Sequence, residues 1–257
     1  MILTVDVGNT TIRFCGVERQ GDDYDMRFSV RTDTLRGKSG AEYLSELRQL
    51  LAREKITPDS FEGAVLCTVV PDLTDTMQIC VRALIGKDAV TVTASAATGL
   101  TMAVPEPWRV GADRIADAAW AAAHYPLPAV TVDMGTATTF NVIDEGGVFL
   151  GGVIAAGLET GMRSLSDRAA QLPQIRLKTP ENVIGKNTAE CMLSGAVAGA
   201  AAMIDGITMR IEKELGKSVT LIITGGLAEY AEPLCTHPHH CDPDLLPKGM
   251  AEIYYNS

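Results

Sequence analysis

Basic residues are scarce in this sequence. Its 257 residues include 22 lysines and arginines against 32 aspartates and glutamates, which gives a formal net charge of −10 at pH 7. A protein that binds nucleic acid by releasing counterions from the phosphates needs a basic surface. The composition therefore predicts that the protein has no nucleic-acid partner.

The N-terminus lacks the features of a targeting segment or a membrane anchor. No basic residue precedes its apolar start, and Asp6 interrupts that apolar run early. A signal peptide needs a basic region before a longer apolar one, and a membrane-spanning helix needs about 20 apolar residues. We therefore expect no membrane partner and a cytoplasmic protein.

The cysteine spacing of a disulfide framework is also missing. The cysteines are scattered, at Cys15, Cys67, Cys80, Cys191, Cys235 and Cys241. With 46% hydrophobic and 21% charged residues, the chain can bury a substantial core without cross-links. We expect reduced thiols, no disorder, and either one large domain or two modest ones.

One pattern, by contrast, is present twice. The segment TVDVGNTTIRF at residues 4–14 is echoed by TVDMGTATTFN at residues 131–141. In each copy an apolar run leads to an aspartate, Asp6 or Asp133, and then to a glycine and a cluster of small hydroxyl or amide side chains. This order is typical of a strand, a tight turn and a second strand. We predict two acidic, hydroxyl-lined turns facing one cleft that holds the phosphates and cations of a nucleotide.

The first half alternates strands with helices. Leucines recur at helical spacing between residues 41 and 55, which predicts an amphipathic helix that covers a sheet. The predicted elements are strands over 11–18, 26–32, 63–70 and 89–93, a polar turn over 20–23, and helices over 41–55 and 71–85. Pro105, Pro107 and Trp108 then interrupt the pattern before Gly111, which suggests a hinge between two halves.

The second half repeats the order of the first. Its predicted elements are a helix from 111, strands over 129–133, 138–143 and through 149, a glycine-punctuated loop over 151–157, helices over 158–171 and from 187 or 188 to 215, and a strand over 219–223. Small residues such as Gly195 and Ala196 in the longest helix permit close packing within the subunit or across a dimer. The sequence therefore predicts an α/β fold of two similar halves.

Short motifs connect these elements to a known family. They are DVGNT at 6–10, GADR at 111–114, DMGTATT at 133–139, GGVI at 151–154, GKNT at 185–188, TGG at 224–226 and DPDL at 242–245. With these motifs, nearly the whole chain resembles the type III pantothenate kinases, members of the actin-like, sugar-kinase and Hsp70 ATPase superfamily. The resemblance implies two duplicated ribonuclease H-like domains, at residues 1–110 and 111–257, with a nucleotide cleft between them.

The first acidic turn has two interpretations. Asp6 to Thr10 alone would be a tight turn with a capping aspartate, but the repeat and the hydroxyl run favour phosphate binding. Phosphoryl transfer needs backbone N–H donors and a divalent cation on the phosphates. The resemblance implies that a first phosphate loop binds ATP, with Asp6 near the nucleotide's Mg²⁺. Its residues are Asp6, Val7, Gly8, Asn9, Thr10, Thr11, Ile12 and Arg13.

The second acidic turn is assigned by the same resemblance. It implies that Thr136 contacts ATP and that Asp133 binds a monovalent cation, K⁺ or NH₄⁺. A carboxylate together with turn carbonyls is a hard-oxygen site that suits such a cation, although the residues alone do not choose between K⁺ and Mg²⁺. The glycine turn at 224–226 is assigned to the adenosine.

The GADR motif also has two interpretations. Asp113 could simply favour the start of a helix, with Arg114 as a solvated charge. Alternatively, Asp113 accepts the proton of a substrate hydroxyl as that hydroxyl attacks the γ-phosphate, and Arg114 holds the carboxylate of pantothenate. The resemblance implies that Gly111, Ala112, Asp113, Arg114 and Thr188 contact the substrate, while Thr188 could also cap the long helix.

The segment from Cys235 to Cys241 holds three of the four histidines and two cysteines of the chain. This composition invites a zinc site. The spacing fits no common structural zinc pattern, however, which favours a surface loop.

The sequence departs from the family pattern in two places. Ala155-Ala156 stand where the family usually carries a proline before the next glycine, which questions the rigidity of that loop. Val104 stands where the family has an aromatic residue that lines the substrate site, and Trp108 could replace that residue in space.

The predicted function is ATP-dependent phosphorylation of the 4′-hydroxyl of pantothenate, the first step towards coenzyme A. We expect direct in-line transfer with Asp113 as the general base, ATP with Mg²⁺ and K⁺ or NH₄⁺ as cofactors, and a homodimer. One alternative is another small-molecule kinase of the same superfamily. A second is a noncatalytic accessory protein, as Bvg accessory factors were first described, but the set of Asp6, Asp113, Arg114, Asp133 and Thr136 argues against it.

Overall fold

The computed structural model describes residues 1–21, 23–96, 98–168 and 172–257. The chain divides into two compact units, the first formed by Met1–Ala123 with Asp244–Ser257 and the second by His124–Pro243. This division differs from the predicted boundary between residues 110 and 111. The reason is that the GADR helix packs with the first unit and that the C-terminal helix returns to it.

The first unit contains a five-stranded sheet. Its strands are β1 (Ile2–Val7), β2 (Thr11–Gln20), β3 (Asp23–Asp33), β4 (Gly63–Thr68) and β5 (Val90–Thr91), in the order β3-β2-β1-β4-β5. Its helices are α1 (Gly40–Arg53), α2 (Thr74–Ile85), α3 (Ala112–His124) and α8 (Leu245–Tyr255). The last residue of α3 belongs to the second unit. A two-residue strand, β6, spans Thr101–Met102. Short 3₁₀ turns occupy Pro58–Ser60, Pro71–Leu73 and Pro107–Arg109.

Local sequence signals account for the first helix. Ser39 caps α1 in a reciprocal capping box, since its hydroxyl accepts a hydrogen bond from the N–H of Glu42 and the Glu42 carboxylate accepts one from the Ser39 N–H. The buried face carries Tyr43, Leu47 and Leu51, which pack in the core between the sheet and helices α1 and α2. Burying each such leucine contributes roughly 1.5–3 kcal/mol.

The C-terminal helix α8 covers the opposite face of the same sheet. It packs against β1, β2 and β4. A side chain at Gly249 would collide with the carbonyl of Ala116 in α3, and one at Gly63 in β4 would collide with the hydroxyl of Tyr254. The sequence pattern predicts no element for this segment.

The second unit repeats the architecture of the first. Its strands are β7 (Ala129–Met134), β8 (Ala137–Ile143), β9 (Val148–Ala156), β10 (Thr220–Thr224) and β11 (His239–Cys241). Its helices are α4 (Leu158–Arg168), α5 (Thr188–Leu193), a π-helical turn at Ser194–Ala198, α6 (Gly199–Leu215) and α7 (Ala228–Ala231), with a 3₁₀ turn at Glu232–Leu234. A separate core lies between this sheet and α6.

The two units share one strand topology. In the first, β1, β2 and β3 form an antiparallel meander, and β4 and β5 continue the sheet in parallel beyond β1. In the second, β7, β8 and β9 form the meander, and β10 and β11 continue it in parallel beyond β7. The predicted α/β fold of two duplicated domains is confirmed.

Several predicted boundaries are corrected. The glycine pair at 151–152 lies within β9 rather than in a loop, because a register shift between Val142 and Ile143 accommodates it. Ala155 and Ala156 are therefore strand residues, paired with Thr138 and Ala137, and not part of a loop whose rigidity is in question. Asp22 of the predicted polar turn and residues 169–171 of the predicted helix 158–171 lie outside the described residues.

The helix from Thr188 to Leu215 is long and apolar enough to cross a membrane by length and composition, and it is the one such helix among the described residues. Of its most apolar window, 44% is buried inside the structure. Core helices of water-soluble proteins pass the same test, so this observation is weak evidence for a membrane span.

Candidate active site

The first acidic turn connects β1 and β2. The N–H of Gly8 donates to the carbonyl of Thr11 at 3.0 Å, and Thr34, just beyond β3, donates its hydroxyl to the carbonyl of Gly8 at 2.7 Å and its N–H to that of Thr10 at 3.0 Å. Asn9 and Thr10 at the tip are exposed. The turn is therefore held from one side by protein hydrogen bonds and presents its polar tip to solvent.

Not every residue of the predicted phosphate loop can reach a ligand with its side chain. Val7 and Ile12 are fully buried in the core of the first unit, so only their backbone could contact ATP. Asp6 is partly exposed near the end of β1. Arg13 is partly buried, with its Nε donating to Ser29 Oγ at 2.9 Å and its Nη2 donating to Asp244 Oδ1 at 2.8 Å.

The second acidic turn connects β7 and β8. The N–H of Gly135 donates to the carbonyl of Ala137 at 3.0 Å, and the carbonyl of Thr136 accepts from the N–H of Gly157 at 3.1 Å and from the hydroxyl of Thr160 at 2.7 Å. A side chain at Gly157 would collide with the carbonyls of Gly135 and Thr136. This glycine is required by the close approach of the start of α4 to the turn.

The TGG motif lies against the same turn. Gly225 has φ of +99°, and a side chain there would collide with Asp133 Oδ1 and the N–H of Met134. The N–H of Leu227 donates to the carbonyl of Met134 at 3.0 Å. The second unit thus brings together the DMGT turn, Gly157 and the TGG turn, with Asp133 partly exposed and Thr136 exposed among them.

Asp113 lies in the first turn of α3, where its Oδ1 accepts a hydrogen bond from the N–H of Arg114 at 2.8 Å. Burial raises the pKa of the Asp113 carboxyl, and the Arg114 N–H and charge offset only part of this rise. Burial also lowers the pKa of Arg114, against the opposite effect of Asp113. A side chain at Gly111 would collide with Asp113 Oδ1, so this glycine makes room for the carboxylate.

A pocket opens beside this motif in the first unit. Its volume is about 590 Å³, and it is lined by Thr68, Val92, Thr93, Ala94, Ser95, Pro107, Trp108, Val110, Gly111 and Ala112. Trp108 is 73% exposed, a large apolar side chain held at a pocket wall. The pocket is large enough for a small organic substrate. Two predicted substrate residues, Gly111 and Ala112, line it, and the predicted base follows them directly in the chain.

Thr188 is exposed at the first position of α5. The cap of that helix is Asn187, whose Oδ1 accepts from the N–H of Glu190 at 3.0 Å. The capping interpretation of Thr188 is therefore wrong, while the predicted helix start near Asn187 or Thr188 is confirmed.

The segment Cys235–Cys241 is partly a strand, because its last three residues form β11. His239 Nε2 lies 2.8 Å from Glu232 Oε1, and its Nδ1 lies 2.7 Å from the carbonyl of His237. No cluster of three or more histidine, cysteine, aspartate or glutamate side chains suited to a metal ion occurs in the part of the chain that the structure describes. The surface-loop interpretation is wrong for residues 239–241, because these residues form a strand.

Some residues of the site were not singled out from the sequence. Thr34 and Thr160 brace the two acidic turns, and Ser29 and Asp244 hold Arg13. Isolated threonines and serines carry no sequence signal of this kind. Asp244 did have one, since it belongs to the DPDL motif, but the motif suggested no contact.

Sequence comparisons with known proteins agree on one family. The sequence model of the type III pantothenate kinases matches residues 2–210. A type III pantothenate kinase of Thermus thermophilus is 39% identical over 257 residues, covering 99% of this chain and 98% of that protein. One of Agathobacter rectalis is 35% identical over 255 residues, covering 99% and 96%. Among solved structures, a conserved Baf family protein of Campylobacter jejuni shares the fold, with 19% identity, a TM-score of 0.58, and coverage of 99% and 98%.

Proposed function

The chain belongs to the type III pantothenate kinases, which phosphorylate pantothenate with ATP on the route to coenzyme A, and we propose that it does so by direct in-line transfer with Asp113 as the general base. The observation that supports this mechanism most strongly is the position of Asp113. In the chain, Asp113 directly follows two residues that line a pocket of about 590 Å³. Burial raises the pKa of the Asp113 carboxyl.

The proposed reaction is a single displacement. The 4′-oxygen of pantothenate attacks the γ-phosphorus, the bond from that phosphorus to the β–γ bridging oxygen breaks, and ADP leaves. The hydroxyl proton passes to the Asp113 carboxylate as the new O–P bond forms. A carboxylate whose pKa is raised above the ordinary aspartate value is a better proton acceptor than an ordinary surface aspartate.

Arg114 is proposed to bind the carboxylate of pantothenate. Its guanidinium is partly buried beside Asp113, and a planar guanidinium can bind a carboxylate through two parallel hydrogen bonds. Gly111 and Ala112 would contact the substrate through the pocket wall, and the exposed Thr188 through its hydroxyl.

The donor groups fit the cations that such a kinase uses. Mg²⁺ in kinases is held by one or two carboxylates together with the substrate phosphates, so the partly exposed Asp6 suffices without an all-protein cage. When bound there, Mg²⁺ would neutralise charge on the β- and γ-phosphates. We propose that the phosphates are further held by the backbone and hydroxyl groups of residues 8–11 and by Thr136.

Asp133 is the proposed ligand of a monovalent cation, K⁺ or NH₄⁺. The carbonyl of Thr136 already accepts two protein hydrogen bonds, so the Asp133 carboxylate would be the main oxygen ligand of the cation. We also propose a cytoplasmic homodimer. Exposed apolar side chains such as Ile154, Ile184 and Met209 on the second unit support a partner surface there.

Product analysis tests the proposal directly. Purified protein is incubated with ATP, Mg²⁺, K⁺ and pantothenate, and the product is identified by ³¹P NMR and mass spectrometry. We expect 4′-phosphopantothenate and one equivalent of ADP. Failure to form it, while another alcohol in a substrate panel is phosphorylated, would assign the chain a different substrate.

A further inference from the structure

The strand register places an arginine opposite the proposed magnesium ligand. In the antiparallel ladder of β1 and β2, Asp6 pairs with Arg13, and Thr4 pairs with Cys15. Directly opposed residues project from the same face of the sheet, with Cβ atoms about 4.5–5.5 Å apart. Asp6 and Arg13 are therefore neighbours on the face that α8 covers.

The C-terminal segment holds this arginine from the other side. Asp244, directly before α8, accepts a hydrogen bond from Arg13 Nη2 at 2.8 Å across a separation of 231 residues. Ser29 of β3 accepts from Arg13 Nε at 2.9 Å. The side chains of Arg13 and Asp244 are 18% and 30% exposed, so the pair is shielded enough to keep a defined geometry.

The charges around Arg13 agree with this geometry. Burial alone would lower the pKa of the guanidinium, but Cys15, Asp244 and Asp6 together raise it. Arg13 is thus a permanent cation that both carboxylates attract. Asp244 and Ser29 each accept a hydrogen bond from the guanidinium, so they fix its position on the face of the sheet that also carries Asp6.

We propose that Asp244 is a positioning residue for magnesium-dependent nucleotide binding, because it holds Arg13 beside Asp6 and shares the charge of the guanidinium with that carboxylate. This inference rests on the proposed role of Asp6. It gives the DPDL motif a function at the phosphate loop, and it assigns Arg13 to the support of that loop rather than to direct contact with ATP.

Two substitutions separate this role from a merely structural one. In Asp244→Asn, residue 244 loses its charge, and the Arg13 guanidinium therefore pairs more tightly with Asp6. The Mg²⁺ concentration for half-maximal binding of a nonhydrolysable ATP analogue then rises by about 3- to 10-fold. In Arg13→Gln the balancing charge is lost, and the Mg²⁺ concentration for half-maximal binding falls. Binding is measured by isothermal titration calorimetry across a magnesium series, without turnover.

The double variant Arg13→Gln with Asp244→Asn provides the decisive comparison. If Asp244 acts only through Arg13, the double variant binds with the magnesium dependence of Arg13→Gln alone. The matched control is Asp88→Asn, which removes the carboxylate of the exposed Arg82–Asp88 ion pair in the same unit and should leave the curve unchanged. If Asp244→Asn folds poorly, Asp244→Glu is measured as well. This variant keeps the charge and should give the wild-type curve.

The inference is overturned if Asp244→Asn shows the same magnesium dependence as the wild type. It is also overturned if Asp244→Asn and Arg13→Gln shift the half-maximal Mg²⁺ concentration in the same direction and the two shifts add in the double variant. Such a result leaves the proposed function intact if the wild type still forms phosphopantothenate. A wild-type protein that binds no nucleotide at any Mg²⁺ concentration would instead contradict the proposed function.

Discussion

The two acidic turns share a fold but balance their charge differently. In the first unit the residue directly opposite Asp6 is Arg13, whereas in the second unit the residue directly opposite Asp133 is Thr139. An arginine supplies a fixed positive charge beside its carboxylate, and a threonine supplies none. In the proposed site, a bound monovalent cation would add positive charge beside Asp133.

The turns also differ in how the protein supports them. A threonine hydroxyl braces each turn, Thr34 the first and Thr160 the second. Beside the first turn, Asp244 also holds Arg13. The second turn is also held by close backbone approach, because Gly157 and Gly225 both occupy positions where a side chain would collide with the turn. Duplicated folds can therefore keep the same strand order while one copy relies on charge and the other on packing.

Removing the proposed base should have the largest effect, because it disables the reaction while leaving both turns unchanged. Asp113→Asn is expected to lower kcat by at least about 10²-fold, the usual loss without general-base help. Binding of ATP should survive. A variant that keeps full turnover, measured by coupled ADP release, would remove Asp113 from the mechanism.

The pKa of Asp113 adds two signatures to this variant. Because burial raises the pKa, kcat/KM should fall with decreasing pH at values above the ordinary aspartate range, and the ionised carboxylate destabilises the native state at neutral pH. Asp113→Asn should therefore melt no lower than the wild type in scanning calorimetry. A marked loss of stability in Asp113→Asn would contradict the prediction that the ionised Asp113 carboxylate destabilises the native state.

Gly225→Ala tests whether the second turn depends on backbone packing. A methyl group at φ of +99°, against Asp133 and Met134, should cost about 2 kcal/mol or more of unfolding free energy and raise KM for ATP. The control is Gly146→Ala in the exposed β8–β9 turn, expected to change stability by less than about 0.5 kcal/mol. Equal effects of the two variants in urea unfolding would contradict a special role for Gly225.

Asp133→Asn tests the difference in charge between the turns. If a monovalent cation balances Asp133, the variant should lose activation by K⁺ and show about 10-fold lower kcat/KM, the equivalent of roughly 1.4 kcal/mol. Rates are compared in K⁺ and in a large organic cation at constant ionic strength. An Asp133→Asn enzyme that is still activated by K⁺ to the wild-type extent would place the cation elsewhere.

The smallest expected effect concerns β11, at the edge of the second sheet. Burial would lower the pKa of His239, but the carbonyl of His237, Glu232 and the charge of Asp205 outweigh it and raise the pKa. Stabilisation by this imidazolium is complete below its unfolded pKa of about 6.5 and is lost as pH rises through the higher folded pKa. His239→Gln should therefore reduce the loss of stability that occurs as pH rises above about 6.5, by up to about 1 kcal/mol. His240→Gln, at the exposed neighbour, is the control in chemical denaturation, and identical pH profiles for both would contradict the assignment.

Sequence reasoning located both turns because each carries its signal locally. An apolar run, an aspartate, a glycine and hydroxyl residues follow one another within about ten positions. The same holds for Gly111 to Arg114 at the start of α3. Each of these features depends on neighbours in the chain, which is why residue patterns were sufficient to find them.

The features that were missed depend on distant contacts. Asp244 and Arg13 are separated by 231 residues, and nothing near either one indicates the pair. Helix α8 has Pro247 in its first turn, where proline is tolerated, but the residue interrupts a helical pattern in the sequence. The division into units also depends on distant contacts, because the return of α8 to the first sheet can be seen only in three dimensions.

A crystal structure of the protein with pantothenate and a nonhydrolysable ATP analogue would test most directly whether Asp113 is the general base. We expect a carboxylate oxygen of Asp113 within about 2.6–3.2 Å of the 4′-hydroxyl of pantothenate, with that hydroxyl directed at the γ-phosphorus. Pantothenate bound with this hydroxyl against a different side chain, or turned away from the γ-phosphate, would contradict it.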